Sequence, residues 1–132
     1  MSEENLEIVR ETFRLFNADD LDGLRAHLDP RIAMWGPEGW PEPGPEHGHD
    51  GVVRQFERLG ADYDQRGSEL LELIDAGEWV VGHFRWNTRG RASGIATTAE
   101  MWFVYRFREG KIVEIRYFWE REDALAAAGA PR

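Results

Sequence analysis

The chain has 132 residues, 42% of them hydrophobic and 31% charged, with a formal net charge of −9; this is the size and composition of one domain, 1–132, around one core. It has no cysteine, which excludes disulfides, thiolate nucleophiles and thiolate metal sites together. The acidic balance excludes general polyanion binding, which needs clustered Lys and Arg. No apolar run is long enough to span a bilayer, and the N-terminus MSEENLEIV is acidic where a signal peptide is basic, so a cytoplasmic chain with no nucleic-acid or membrane partner is expected.

Ser2 can cap a first helix whose opening turn holds Glu3 and Glu4, both favourable at the positive end of the helix dipole. Ile8, Val9, Thr12, Phe13 and Phe16 recur on one side of it. Asn17-Ala18-Asp19-Asp20 breaks that helix, and Asp20 can cap a short second one carrying Leu21, Leu24 and Leu28. Asp29-Pro30 ends it, because the residue before proline avoids the α region. Ile32 to Trp35 is a short strand.

Gly36 to Gly51, GPEGWPEPGPEHGHDG, is too rich in proline and glycine for a regular element, and a loop this long is often functional. A third helix follows from about Asp50, with Val52, Val53, Phe56, Leu59 and Tyr63 as its buried stripe; Gly67 closes the region. Leu70–Ala76 and Trp79–Thr88 are strands, the second with Val80, Gly82, Phe84 and Trp86 on one face and Val81, His83, Arg85 and Asn87 on the other. Arg89 to Gly94 is a turn or loop. Ile95–Phe107 and Lys111–Trp119 complete the sheet, and a short helix, Glu122–Ala128, ends at Gly129.

Within MWFVYRFREGKIVEIRYFW, Met101 to Trp119, the pattern is a β-hairpin. A loop of Glu109-Gly110 alone would oppose Phe107 to Ile112 and Phe103 to Arg116 and mix apolar residues with charges on each face. A bulged loop of Arg108-Glu109-Gly110 instead pairs Phe107 with Lys111, Tyr105 with Val113, Phe103 with Ile115 and Met101 with Tyr117. One face then carries Met101, Phe103, Tyr105, Phe107, Val113, Ile115, Tyr117 and Trp119. Segregated helices and consecutive strands make an α+β fold with an antiparallel sheet.

The opening helix with FNADDLDGLRAHLDP, the passage HGHDGVVRQF, the hairpin VYRFREGKIVEIRYFW and the tail EREDALAAAG, in this order, resemble the nuclear transport factor 2-like superfamily. The match is to its SnoaL-like, ketosteroid isomerase-related branch. The resemblance implies a cone: a curved, mixed sheet wrapped around the N-terminal helices, with an internal apolar cavity. It also implies a homodimer packed sheet to sheet. It places Phe84, Trp86, Phe103, Tyr105, Tyr117 and Trp119 on the cavity side. Ketosteroid isomerases carry a base at the end of the first strand, where Gly36 precedes Pro37 here, and an oxyanion-holding acid on the penultimate strand, where Phe103 stands. Both carboxylates are missing, so that mechanism does not transfer.

The expected ligand-binding residues are therefore Trp40, Phe84, Trp86, Met101, Phe103, Tyr105, Tyr117 and Trp119; the alternative is that the aromatics are simply core. Against that alternative, buried Tyr and Trp need partners for their polar hydrogens. Trp40 is singled out as a large apolar side chain in a polar loop, able to fold over the cavity or pack on a partner. His47-Gly48-His49, flanked by Glu46 and Asp50, has the look of a metal site but no third ligand or second shell, so neither metal nor cofactor is expected. His47 and His49 are instead a loop end and helix cap, or acid–base candidates beside Tyr105 or Tyr117. Trp79, His83, Arg85, Trp102, Arg116 and Phe118 form an outer face whose aromatics and arginines suit a dimer interface. The leading reading is a domain that binds a small hydrophobic molecule. The alternatives are an isomerase, cyclase or hydrolase acting on a hydrophobic carbonyl or polycyclic substrate, and a dimeric accessory module with a filled cone.

Overall fold

The computed structural model of the chain describes residues 2–41 and 44–130. Its elements are α1 (Ser2–Asn17), α2 (Leu21–Arg25), β1 (Leu28–Trp35), β2 (Glu46–His47), α3 (Gly48–Asp62), β3 (Tyr63–Ala76), β4 (Trp79–Gly90), β5 (Ala96–Arg108), β6 (Lys111–Phe118) and α4 (Arg121–Ala127). The strands form one sheet in the order β2-β1-β6-β5-β4-β3. β1 and β6 run parallel and every other neighbouring pair antiparallel, so the sheet is mixed. It curls into a half-barrel around the N-terminal helices, the α+β architecture expected from the sequence. No helix among the described residues is long and apolar enough to cross a membrane.

Burial on the concave face follows from the periodicities. Val9 of α1 and Val52 and Val53 of α3 are fully or almost fully buried against Val80, Phe84, Met101, Phe103, Tyr105, Ile112 and Ile115 of the sheet. Each such side chain contributes roughly 1.5–3 kcal/mol of transfer free energy. The helices are held by polar contacts at their ends. Asp20 accepts a hydrogen bond from the Gly23 amide at 2.9 Å, the cap expected for α2. Asn17, at the end of α1, donates to the Ser68 carbonyl at 2.9 Å and accepts from the Ser68 amide at 2.8 Å. This two-point clamp fastens α1 to the bulged start of β3. The Ser2 cap lies outside the described side chains.

The convex face has its own cover. Ala124, Leu125 and Ala128 of the α4 region pack on Val81, Trp102 and Val104, and Gly129, with φ of 68°, closes α4 while Ala130 donates to the Leu125 carbonyl. The centre of the sheet is therefore buried on both sides.

Several boundaries differ from the sequence reading. Leu28 opens β1 rather than ending α2, and Asp29-Pro30 lies inside the strand. The pairing of β1 with β6 is irregular between Leu28 and Ala33, because proline has no amide to give the ladder. The Gly36–Gly51 passage does contain regular structure: β2 pairs with β1, and α3 begins at Gly48. Tyr63 leaves the helix stripe and opens β3, which reaches Ala76 by way of bulges at Gln65/Gly67 and Leu70/Glu72.

The hairpin keeps the expected inward face for most of its length by a different route. Its turn is Glu109-Gly110 alone, with φ of 50° and 76°, the paired positive values of a tight I′ turn. Arg108 pairs with Lys111 and Phe107 with Ile112; a bulge at Val113 then shifts the ladder to Arg106–Glu114, Tyr105–Ile115 and Phe103–Tyr117. Beyond the bulge the pairing is offset by two residues from the expected one, which preserves the face. Before it, Ile112 replaces Val113 as the buried residue.

Candidate functional site

The register sets out the concave face as rows running across the strands. One row is Val80, Tyr105, Ile115, Met34 and Glu46; the next is Gly82, Phe103 and Tyr117; then Phe84 with Met101; then Ser68 with Trp86. α1 and α3 close over these rows with Thr12, Phe13 and Phe16, and Gln55, Phe56 and Leu59. Together they enclose a pocket of about 100 Å³.

Of the eight residues expected to line it, Trp40, Phe84, Trp86, Met101, Tyr105 and Tyr117 do so. Phe103 does not. It is completely buried, and its ring occupies the space a side chain at Gly82 would need: a Cβ there would stand 2.0 Å from Phe103 Cζ. The absent Gly82 side chain lets the ring lie down on β4, packed by Phe13 at 5.5 Å and Tyr105 at 4.5 Å between centroids. Phe103 is thus core beneath the pocket. Trp119 also lies elsewhere. It follows the last β6 residue, is 43% exposed, and donates its indole N–H to the Glu38 carbonyl at 2.8 Å. It anchors the turn Pro37–Trp40, in which the Trp40 amide bonds the Pro37 carbonyl and Gly39 supplies a φ of 82°.

That turn delivers Trp40 to the pocket. Its ring meets Trp86 at 5.9 Å between centroids, and Tyr63 packs edge-on to Trp86 at 6.0 Å. Gly36 is needed here, since a Cβ would approach the Trp40 ring to 3.0 Å. The space that a side chain at Gly36 would enter is thus taken by the Trp40 ring.

The polar groups in the pocket are few. Tyr105 and Tyr117 are diagonal neighbours across β5 and β6 and line the pocket beside Thr12, whose hydroxyl donates to the Val9 carbonyl at 2.7 Å. Burial pushes the Tyr105 hydroxyl up to about 12 and the Tyr117 hydroxyl well above its ordinary value, so both are neutral at physiological pH. On the α3 side, Glu46 and the buried Gln55 share the guanidinium of Arg58, with Glu46 Oε1 at 3.0 Å. Glu46 faces inward because its partner in the β1–β2 ladder is the buried Met34.

Thr12, Glu46, Gln55 and Ser68 were not site candidates from the sequence. The two-residue strand that turns Glu46 inward has no periodicity to read, and Gln55 lies one residue from the expected apolar stripe. His47 and His49 are not among the residues that line the pocket. His47 is exposed at the start of α3 and makes no side-chain cap; His49 Nδ1 stands 3.4 Å from the Asp50 carboxylate. Along β2, Glu46 takes the pocket side and His47 the other.

The outer residues do not form one bare patch. His83 stacks on Trp102 at 4.4 Å, Arg121 covers the same indole, and Trp102 is only 8% exposed beside α4. Arg116 lies over Trp35 at 4.2 Å and Arg106 over Trp79 at 5.7 Å. Arg85 joins Glu69 and Glu100 in an exposed lattice of ion pairs.

Comparison with known proteins agrees with this fold. Residues 9–115 match the family model of the SnoaL-like domain. A crystal structure of an NTF2-like protein from Burkholderia thailandensis is 29% identical, with a TM-score of 0.79, over 96% of this chain and 98% of that one. An NTF2-like protein of unknown function from Burkholderia pseudomallei is 25% identical, with a TM-score of 0.80, over 96% and 98%. A Catenulispora acidiphila protein with a ketosteroid isomerase-like fold, solved in complex with trimethylamine, is 14% identical, with a TM-score of 0.77, over 95% and 94%. No curated protein matches the sequence significantly. With a family model spanning most of its length, the chain belongs to the SnoaL-like domain family.

Proposed function

We propose that this domain binds a small, mainly apolar molecule in the pocket between Trp40 and Trp86 at one end and the Tyr105–Tyr117 pair at the other. The observation that carries the reading is the lining itself. Aromatic and aliphatic side chains surround a space of about 100 Å³, with a few polar groups converging on it, the pattern of a ligand site. The volume limits the ligand. Apolar cavities of roughly 150 Å³ admit benzene, whereas pockets for drug-sized ligands run to about 300–1,000 Å³. At about 100 Å³ the space suits a short branched chain or at most one small ring for which the lining gives way, and a polycyclic substrate does not fit. The trimethylamine held by the Catenulispora relative is a ligand of comparable modesty. The test is a thermal-shift and tryptophan-fluorescence titration with toluene, cyclopentanol and a four-ring steroid. The small ligands should raise Tm and perturb Trp40 and Trp86. A shift with the steroid alone, or with none of them, sinks the reading.

One observation favours a catalytic version. Glu46 is the carboxylate that lines the pocket among the described residues, and a base within reach of a carbonyl's neighbouring C–H is what proton abstraction needs. If that version holds, the protein accelerates deuterium uptake at the α-carbons of cyclopentanone in D2O, and Glu46→Gln removes the acceleration while leaving binding in place. No acceleration above buffer refutes it. We also infer that a second copy docks on the strip of sheet that α4 leaves uncovered, around Leu71 and the Glu69–Arg85–Glu100 lattice. Light scattering should give a dimer that Arg85→Glu dissociates; a monomer at all concentrations excludes it.

A further inference from the structure

We infer that the pocket takes a small uncharged carbonyl compound, and that Gln55 of α3 selects it by donating a hydrogen bond to the carbonyl oxygen. The inference rests on the pocket reading above and names a ligand class within it.

Gln55 is a buried amide in the lining, 6% exposed. Such an amide can present either an acceptor or a pair of donors, and the partner of its other end decides which. Here that partner is Arg58, three residues further along α3, whose Nη2 donates to Gln55 Oε1. A guanidinium has donors only. The amide cannot turn over without setting N–H against N–H. Arg58 is itself pinned, because the same Nη2 donates to Glu46 Oε1 at 3.0 Å. The chain of contacts from Glu46 through Arg58 to Gln55 therefore leaves Nε2 as the end of the amide still to be matched. Among the described residues nothing accepts a hydrogen bond from it. A buried donor without an acceptor is destabilising, and an acceptor carried in by a ligand removes that penalty.

The other polar groups in the lining do not impose the same choice. Thr12 gives its proton to the Val9 carbonyl at 2.7 Å. The hydroxyls of Ser68, Tyr105 and Tyr117 can rotate to give or to receive. Glu46 only accepts, but its side chain is 28% exposed and within reach of water. Gln55 is thus the buried donor of fixed direction, and its complement is an oxygen with lone pairs on a short apolar frame. A ligand carboxylate has such oxygens too, but the Glu46 carboxylate lines the same pocket and repels it. An uncharged carbonyl meets both conditions.

Methyl isopropyl ketone and the alkene in which CH2 replaces its oxygen share one branched shape and differ in the acceptor. Their dissociation constants are read from tryptophan fluorescence in sealed cells. Gln55→Met keeps the length of the side chain and deletes the donor. The ketone should then bind roughly fivefold more weakly, one net hydrogen bond, while the alkene binds as before or more tightly. In Arg58→Met the Glu46 carboxylate loses its donor and draws the Gln55 N–H groups to itself. The amide oxygen turns to the ligand, and the ketone again weakens against the alkene. This variant, at a side chain 48% exposed, serves if Gln55→Met does not fold. In the parent protein the infrared band of an isotope-labelled ketone carbonyl should lie below its position in hexane, and Gln55→Met should move it back. Equal losses for ketone and alkene would make Gln55 a packing residue. That result, an unshifted carbonyl band, or an unchanged ketone affinity in both variants overturns the inference while leaving the pocket reading intact. Binding of neither ligand to the parent overturns the pocket reading and this inference with it.

Discussion

Replacing Gly82 by alanine sets two physical effects against each other, and the structure says which wins. From chain entropy alone, Gly→Ala within a strand stabilises by roughly 0.4–1 kcal/mol, because the unfolded chain loses freedom. At this position the new Cβ would lie 2.0 Å from Phe103 Cζ, 2.3 Å from Cε2 and 2.8 Å from Cε1. Carbon atoms rest at about 3.5–4.0 Å, so the ring must retreat by roughly 1.5 Å. It has no free direction, being completely buried with Phe13, Phe84 and Tyr105 around it. Overpacking of this kind costs about 1–3 kcal/mol, and an overlap with a ring rather than a flexible chain puts Gly82→Ala near 3. At roughly 3–5 °C per kcal/mol for a domain of this size, Tm should fall by about 10 °C. Phe103→Leu alone should cost about 1–2 kcal/mol through the cavity it leaves. The double variant should be less damaged than the sum, with a coupling of about 2 kcal/mol, because leucine makes room for the methyl group. Urea unfolding followed by circular dichroism measures all four proteins. A neutral or stabilising Gly82→Ala, or strictly additive costs, would refute the packing argument.

Three further outcomes follow from contacts elsewhere in the molecule. Asn17→Ala strands the Ser68 amide and carbonyl that the side chain now serves, and should destabilise by about 1–3 kcal/mol in urea unfolding; an unchanged midpoint removes the clamp from the account. Burial raises Tyr105 from 10.0 to about 12 and raises Tyr117 as well. The folded chain keeps these protons where the unfolded chain has released them, so their share of stability is whole below about pH 10 and is lost as pH rises toward the folded values. Between pH 10 and about 12 Tyr105 alone should remove about 1.4 kcal/mol per pH unit, and Tyr105→Phe should flatten the alkaline limb; an identical limb in that variant counts against the assignment. Trp119→Phe deletes the indole donor to Glu38 and should free the Trp40 turn. Acrylamide quenching of Trp40 and Trp86 should rise while the unfolding midpoint moves by less than about 1.5 kcal/mol; unchanged quenching shows that the turn is held by other contacts.

Which strand residues look inward was legible, and how deep they lie was not. A period of two assigns a face, and it assigned Phe84, Trp86, Met101, Phe103, Tyr105 and Tyr117 correctly to the concave one even though the pairing differed by two residues. It is blind to position along that face. Phe103 and Tyr117 are directly paired, yet one lies beneath the pocket and the other lines it. The difference comes from Gly82 on the neighbouring strand, which gives the Phe103 ring a place to lie flat. An inward glycine opposite an inward aromatic therefore marks a ring folded into the sheet, and that pairing becomes readable only once the ladder is known. Trp119 misled for the complementary reason: it continues the alternation past the last hydrogen-bonded residue, where the periodicity no longer has a sheet to refer to. Glu46 was missed because its orientation is set by a partner distant in sequence, Met34, across a strand of two residues. The glycine, the two-residue strand and the Pro37–Trp40 turn together decide the size of the space left between sheet and helices. A ring pressed into the floor, a tryptophan delivered to the rim and the α1 and α3 side chains above leave a pocket of about 100 Å³. Enlarging it should therefore take only a change at the rim: Trp40→Ala is expected to admit two-ring ligands that the parent excludes, at little cost in stability, and a variant that still takes single rings alone would place the size limit deeper, at Phe13 and Phe84.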